Sequence, residues 1–143
     1  GSDWGFANDP STLIKVAIDE KKKLLYVEEK LYGKGMNTDQ LRDAFTAVCG
    51  KSVIIADNSE LRLINELRRS GLNILPVHKK PGSIKSGINK MKNYNIIVCG
   101  NSPNLIKEFN QYCWIDKGTK EVPIDDWNHG IDPIRYALTR LCP

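Results

Sequence analysis

Apolar and polar positions along the chain predict an ordered succession of elements. Leu13 to Asp19 sets Ile14, Val16 and Ile18 among more polar neighbours, and Leu24 to Tyr32 is a second β-rich run after the Lys21-Lys22-Lys23 turn; together they read as an antiparallel hairpin. Asn37-Thr38-Asp39-Gln40 has the form of a capping box, and Leu41, Ala44, Phe45 and Val48 recur at helical spacing until Gly50. Val53 to Ala56 is a short continuous apolar run, the mark of a central strand covered on both faces, and it ends in Asp57. Ser59 is placed to cap a helix that turns Leu61, Ile64 and Leu67 inward and stops at Gly71, and Leu72 to Val77 reads as the next strand.

Beyond the loop Lys79-Lys80-Pro81-Gly82, Ser83 opens a helix with Ile84, Ile88 and Met91 on one face, and Tyr94 to Cys99 reads as a further buried strand. Ser102-Pro103 starts a helix with Leu105, Ile106 and Phe109 inward. Trp114 to Pro123 reads as a loop or short hairpin, and Asp125 to Leu141 as mainly helical. The expected fold is therefore α/β: an antiparallel hairpin leading into parallel β-α units, a mixed central sheet flanked by helices.

Composition sets the frame. The 143 residues match one domain of about 150 residues, so a single domain over 1–143 is expected. At 41% hydrophobic and 27% charged the chain can bury a core. It has no apolar run near the ~18 residues of a membrane span and no signal-peptide pattern, so a soluble protein with no membrane partner is expected. Gly1-Ser2 looks like the remnant of a removed tag, which makes the chain an expected piece of something longer. Cys49, Cys99, Cys113 and Cys142 form no C-x-x-C pair and are expected to be buried reduced thiols.

The net charge of +4 is too mild to name a partner, but its distribution is uneven. No acidic residue lies between Glu66 and Glu108, a stretch that carries Arg68, Arg69, Lys79, Lys80, Lys85, Lys90, Lys92 and Lys107 with His78 beside them. Such a run is either a solvated lysine-rich surface or a phosphate-binding face.

Gly50-Lys51-Ser52 has the ending of a Walker A motif but fails it: Phe45 stands where glycine is required, and a strand follows instead of a helix. Neither G-x-G-x-x-G, G-x-S-x-G nor H-E-x-x-H occurs. Carboxylates are more informative. Asp3 stands where a strand could end, Asp57 ends the strongest central strand, and Asp125, Asp126 and Asp132 cluster near the C-terminus. As a helix, that last stretch puts Asp125, His129, Asp132 and Tyr136 on one face and Ile131, Ile134, Leu138 and Leu141 opposite. Each aspartate also has a plain structural reading: Asp132 before Pro133 as a helix cap, Asp57 with Asn58-Ser59 as another, Asp3 as a turn residue. Jointly, three carboxylates at two strand ends and a final helix are what a divalent cation requires, and the basic stretch would serve a phosphate substrate.

At these residues the chain resembles a known family. Asp3-Trp4-Gly5-Phe6 with Asn8-Asp9-Pro10, Ile54-Ile55-Ala56-Asp57 with Asn58-Ser59-Glu60, and Asn128-His129-Gly130-Ile131-Asp132 with Ile134-Arg135-Tyr136-Ala137-Leu138 resemble the nuclease domain of the large terminase subunit of tailed bacteriophages and prophages. The resemblance spans nearly the whole chain and implies an RNase H-like fold. It implies an endonuclease that cuts concatemeric double-stranded viral DNA during packaging, with Asp3, Asp57 and Asp132 holding two Mg²⁺ or Mn²⁺ ions. Those ions would activate water and stabilise the leaving 3′ oxygen. His129 would bind one metal, handle a proton or make a plain hydrogen bond. Asp9, Asp125 and Asp126 are weaker, outer candidates. Lys79, Lys80 and Lys85 are chosen from composition as DNA phosphate contacts. The resemblance further implies the host bacterial cytoplasm as location, and a longer protein whose N-terminal packaging ATPase works with a small terminase subunit and the portal. One departure is Pro133, where the family usually has alanine; it bears on the aim of Asp132. The competing readings are a resolvase- or transposase-type RNase H-like nuclease and a non-catalytic nucleic-acid-binding module.

Overall fold

In the computed structural model, residues 1–5, 8–116 and 128–142 are described, the last five of the long segment by backbone alone. The elements are β1 (Ser2–Asp3), β2 (Ser11–Asp19), β3 (Leu24–Gly33), α1 (Thr38–Cys49), β4 (Ile54–Ala56), α2 (Leu61–Arg69), β5 (Ile74–Pro76), α3 (Ser83–Met91), β6 (Asn95–Val98), α4 (Pro103–Asp116) and α5 (Ile131–Leu141). Among the described residues the strands form one sheet in the order β5-β4-β1-β2-β3-β6. β1 and β3 each run antiparallel to β2, while β1–β4, β4–β5 and β3–β6 are parallel. This is the mixed sheet expected from the hairpin and the β-α alternation. β1 is short but central, and so anchors the two parallel strands to the hairpin.

Strand alternation divides the core into two layers. Leu13, Ile54, Ala56 and Ile74 face α1 and α2, where they meet Leu41, Phe45, Ile64 and Leu67. Ile14, Leu25 and Val27 face the other way, onto Met91, Leu105, Ile131, Ile134 and Leu138 of α3, α4 and α5. The capping box of α1 is present as read: Asn37 Oδ1 accepts from the Gln40 amide and Gln40 Oε1 accepts from the Asn37 amide, both at 2.9 Å.

Several expectations need correction. Ser59 does not cap α2; Glu60 occupies the cap position without a side-chain bond, and the Ser59 hydroxyl is drawn instead to Asp57. Val48, Leu61, Ile84, Ile106 and Leu141 are exposed, because each lies just beyond the narrow stripe its helix presents to the sheet. β6 is half-exposed, since it pairs with β3 alone at the sheet edge. Trp114 belongs to α4, which runs to Asp116; the remainder of the expected loop falls outside the described residues. Cys49, Cys99 and Cys142 are free thiols but only half-buried, and the Cys113 side chain lies outside the described residues. Among the described residues no helix is long and apolar enough to cross a membrane.

Helix α5 departs furthest from its reading. It starts at Ile131 and is buried on almost every side, through Ile131, Pro133, Ile134, Arg135, Tyr136, Ala137 and Leu138. Tyr136 therefore does not lie on a solvated polar stripe; it packs with Ile55 and Val77. Asp132 is not the cap residue either, because Gly130 holds that position. Pro133 falls in the first turn, where a missing N–H removes no helical bond, so the helix tolerates it. Its carbonyl lies against Gly1: a Cβ there would stand 1.8 Å from the Pro133 oxygen, so the close approach of α5 to the residue before β1 requires glycine.

Candidate metal centre

Two aspartates reach the site from the sheet. β1 and β4 are parallel neighbours with Ser2 opposite Ala56, so Asp3 and Asp57 follow at the carboxyl ends of adjacent strands. The Asp57 amide donates to the Ser2 carbonyl at 3.0 Å, and the Ser2 hydroxyl donates to the Thr12 carbonyl at 2.8 Å. Trp4, buried and stacked on Phe45 with centroids 5.9 Å apart, donates its indole N–H to the Asp57 carbonyl at 2.9 Å. The main chain at both aspartates is thereby tied to the core.

Asp132 arrives from the opposite direction, on α5. Its position is set by Glu108 of α4, only 1% exposed. The Glu108 carboxylate accepts from the amides of Gly130 (2.8 Å) and Ile131 (3.1 Å) and from the Tyr32 hydroxyl (2.6 Å), so a buried anion satisfies the open N-terminus of α5. Thr12 adds a hydrogen bond from its hydroxyl to the His129 carbonyl at 2.6 Å. Arg135, one turn on, donates to Asp132 Oδ1 at 3.2 Å and lies 5.1 Å from the Tyr136 ring centroid. Sequence reading missed Glu108, Thr12 and Trp4 in these roles; only the spacing of Asp132 and Arg135 carried a local signal.

The three carboxylates sense one another. Burial pushes the Asp3 carboxyl up to about 7, with the charges of Asp57 and Asp132 adding to the rise. Burial also raises Asp132, against the opposing pull of Arg135, Lys79 and His129. Burial acts upward on Asp57 too, but the Lys79 ammonium and the Ser59 hydroxyl, 2.5 Å from Oδ2, outweigh it and hold Asp57 below the usual carboxylate range. The Tyr136 phenol is raised by burial and by the charges of Asp132, Asp3 and Asp57. Buried hard-oxygen donors with surplus negative charge suit a divalent cation in chemistry. Among the described residues, however, no three His, Cys, Asp or Glu side chains are assembled closely enough to grip one ion as they stand. The cations beside them are Lys79, whose ammonium contacts Asp57 Oδ1, and Arg135 on Asp132.

The remaining candidates fall around this centre. His129 Nε2 stands 3.8 Å from Asp9 Oδ1, with Asp9 exposed to solvent. Lys79 faces the aspartates and lies 5.5 Å from the Tyr136 ring centroid, while Lys80 and Lys85 are exposed on the loop and helix that follow. Asp125 and Asp126 lie outside the described residues, as does Phe6. Lys51 sits in the turn between α1 and β4, which confirms that no phosphate-cradling loop forms there.

Comparison with known proteins agrees with this architecture. Over 96% of its length the chain is 26% identical to the PBSX phage terminase large subunit of Bacillus subtilis (strain 168), and it spans about a third (33%) of that protein. The large terminase nuclease domain of bacteriophage SPP1, solved with bound Mn, superposes with a TM-score of 0.82 at 28% identity, covering 98% of this chain and 84% of that one. The P22 large terminase nuclease domain shares the fold, with a TM-score of 0.75 at 17% identity over 98% of this chain and 78% of its own. The family model for the terminase RNase H-like domain matches residues 3–140, from the first aspartate of the site to the last turn of α5, and the chain belongs to that family.

Proposed function

We propose that this domain is a divalent-metal-dependent endonuclease that cuts concatemeric double-stranded viral DNA during genome packaging. The observation that carries the reading is the placement of Asp3 and Asp57 at the ends of adjacent parallel strands, with the first turn of α5, which bears Asp132, packed against the chain leading into β1. The SPP1 domain was solved with bound Mn, which supports the use of a divalent metal. Asp3, Asp57 and Asp132 would hold Mg²⁺ or Mn²⁺, two ions in the full site. Such ions supply an activated water and charge stabilisation of the leaving oxygen.

The chain's own residues do the rest. Ser59 orients Asp57, and Arg135 orients Asp132. His129, 3.8 Å from Asp9, would accept a proton or join the ligand set. Lys80 and Lys85 hold backbone phosphates and so position the duplex without reading its bases. In the complete protein the domain would work beside an N-terminal packaging ATPase, a small terminase subunit and the portal, in the host bacterial cytoplasm.

Incubation with supercoiled and linear plasmid in EDTA, Mg²⁺ or Mn²⁺, with Asp57→Ala alongside, tests this. Cutting should require metal and fall at least about a hundredfold in Asp57→Ala, while retention of DNA stays unchanged. Cutting in EDTA, or an Asp57→Ala protein that cuts normally, would refute it. A strong preference for branched over linear duplex would move the reading toward a resolvase.

A further inference from the structure

Lys79 was expected on a DNA-facing surface, yet its ammonium lies against Asp57 in the middle of the acidic centre. The placement is built. Val77, two residues earlier, is buried and donates its amide to the Ala56 carbonyl at 2.8 Å, which fixes the loop after β5 beside the end of β4. The Asp57 side chain is 10% exposed and the Lys79 side chain 39%, so the acid is fixed while the lysine stem borders solvent.

A simple stabilising ion pair explains this poorly. A half-exposed lysine pair contributes little to stability, and with Arg135 already paired to Asp132 a single ammonium is left to face both Asp57 and Asp3. Lysine is also a compact point charge on a flexible stem, able to leave without disturbing the backbone; arginine, with its planar fork, would grip a carboxylate at two points.

We propose that Lys79 is a tethered counter-ion: its ammonium occupies the acidic centre in the metal-free protein and is displaced when a divalent cation binds. It thereby sets the metal concentration at which the site fills. This rests on the reading of Asp3, Asp57 and Asp132 as metal ligands. Once displaced, the ammonium is free to turn to solvent beside the exposed Lys80, where a DNA phosphate is its natural new partner.

Titration calorimetry of Mn²⁺ into metal-free wild type, Lys79→Met, Lys79→Gln and Lys79→Arg, at one pH and ionic strength and without DNA, tests the proposal. Lys79→Met and Lys79→Gln should bind Mn²⁺ about tenfold more tightly than wild type, because the competing charge is gone, whereas Lys79→Arg should bind no more tightly. In EDTA the two neutral variants should melt close to wild type, and saturating Mn²⁺ should raise their melting temperatures more than it raises the wild type's. Binding by wild type with unchanged or weaker binding by both neutral variants would overturn the tethered counter-ion while leaving the metal site intact. Absence of Mn²⁺ binding in every protein would overturn the metal-ligand reading itself, and this proposal with it. Binding by the neutral variants alone would support the proposal in its strongest form.

Discussion

Asp57 and Asp132 serve one site but are delivered by different layers of the molecule, the sheet and a helix packed on it. Asp57 extends directly from β4, between two parallel neighbours, and its main chain is held by the sheet ladder and the Trp4 indole. Asp132 rides on a helix whose first turn hangs from side chains of distant elements, Glu108 on α4 and Thr12 on β2. Strand hydrogen bonds are numerous and share any local loss, whereas the helix half depends on a few buried polar groups. A single substitution should thus disturb the aim of Asp132 far more readily than that of Asp57.

Breaking the helix half has the largest expected effect. Glu108→Ala leaves the Gly130 and Ile131 amides and the Tyr32 hydroxyl without their partner, and should cost about 3 kcal/mol or more, read by chemical denaturation. Glu108→Gln keeps one acceptor and the shape, and should lose about 1 kcal/mol. Equal losses in the two variants would show that packing, and not the carboxylate, seats α5.

The pH dependence of the metal-free protein sharpens the comparison from the sheet side. In the unfolded chain Asp3 titrates near about 4, but in the folded protein burial and the neighbouring aspartates hold it up to about 7. Between those values the native state binds more protons than the unfolded one, so the Asp3 contribution to stability is present at low pH and is lost as pH rises through about 7. Asp3→Asn should flatten that decline in melting temperature measured in EDTA. A decline of the same slope in the variant would assign it to other groups, among them Asp132 and Glu108, whose carboxyls burial also raises.

The smallest expected effect belongs to Thr12, buried and bonded by its hydroxyl to the His129 carbonyl. Thr12→Val keeps the volume, removes one hydrogen bond and should cost about 1 kcal/mol in denaturation. A loss as great as that of Glu108→Ala would move the main anchor of α5 from α4 to the hairpin.

Much of this could be read before the fold was known, and the reason is locality. The alternation of Ile14, Val16 and Ile18, the reciprocal cap at Asn37 and Gln40, and the apolar run closing on Asp57 each lie within a few residues, and each formed the element it signalled. Ser59 shows where local signals compete: a serine ahead of a helix reads as a cap, yet a carboxylate two residues away is the stronger acceptor for its hydroxyl. Glu108 had no local signal. On an otherwise amphipathic helix it reads as a surface acid, and only its three partners, 22 to 76 residues away, give it a function.

What the sequence alone determined is the set of elements, their order and the three aspartates with their motifs, because periodicity, capping and residue chemistry are properties of short segments. The tertiary structure decided which polar groups face one another: Lys79 with Asp57 and the Tyr136 ring, Glu108 with the first turn of α5. Buried charges must find partners, and those partners are chosen by the packing of the sheet between its two helical layers rather than by distance along the chain.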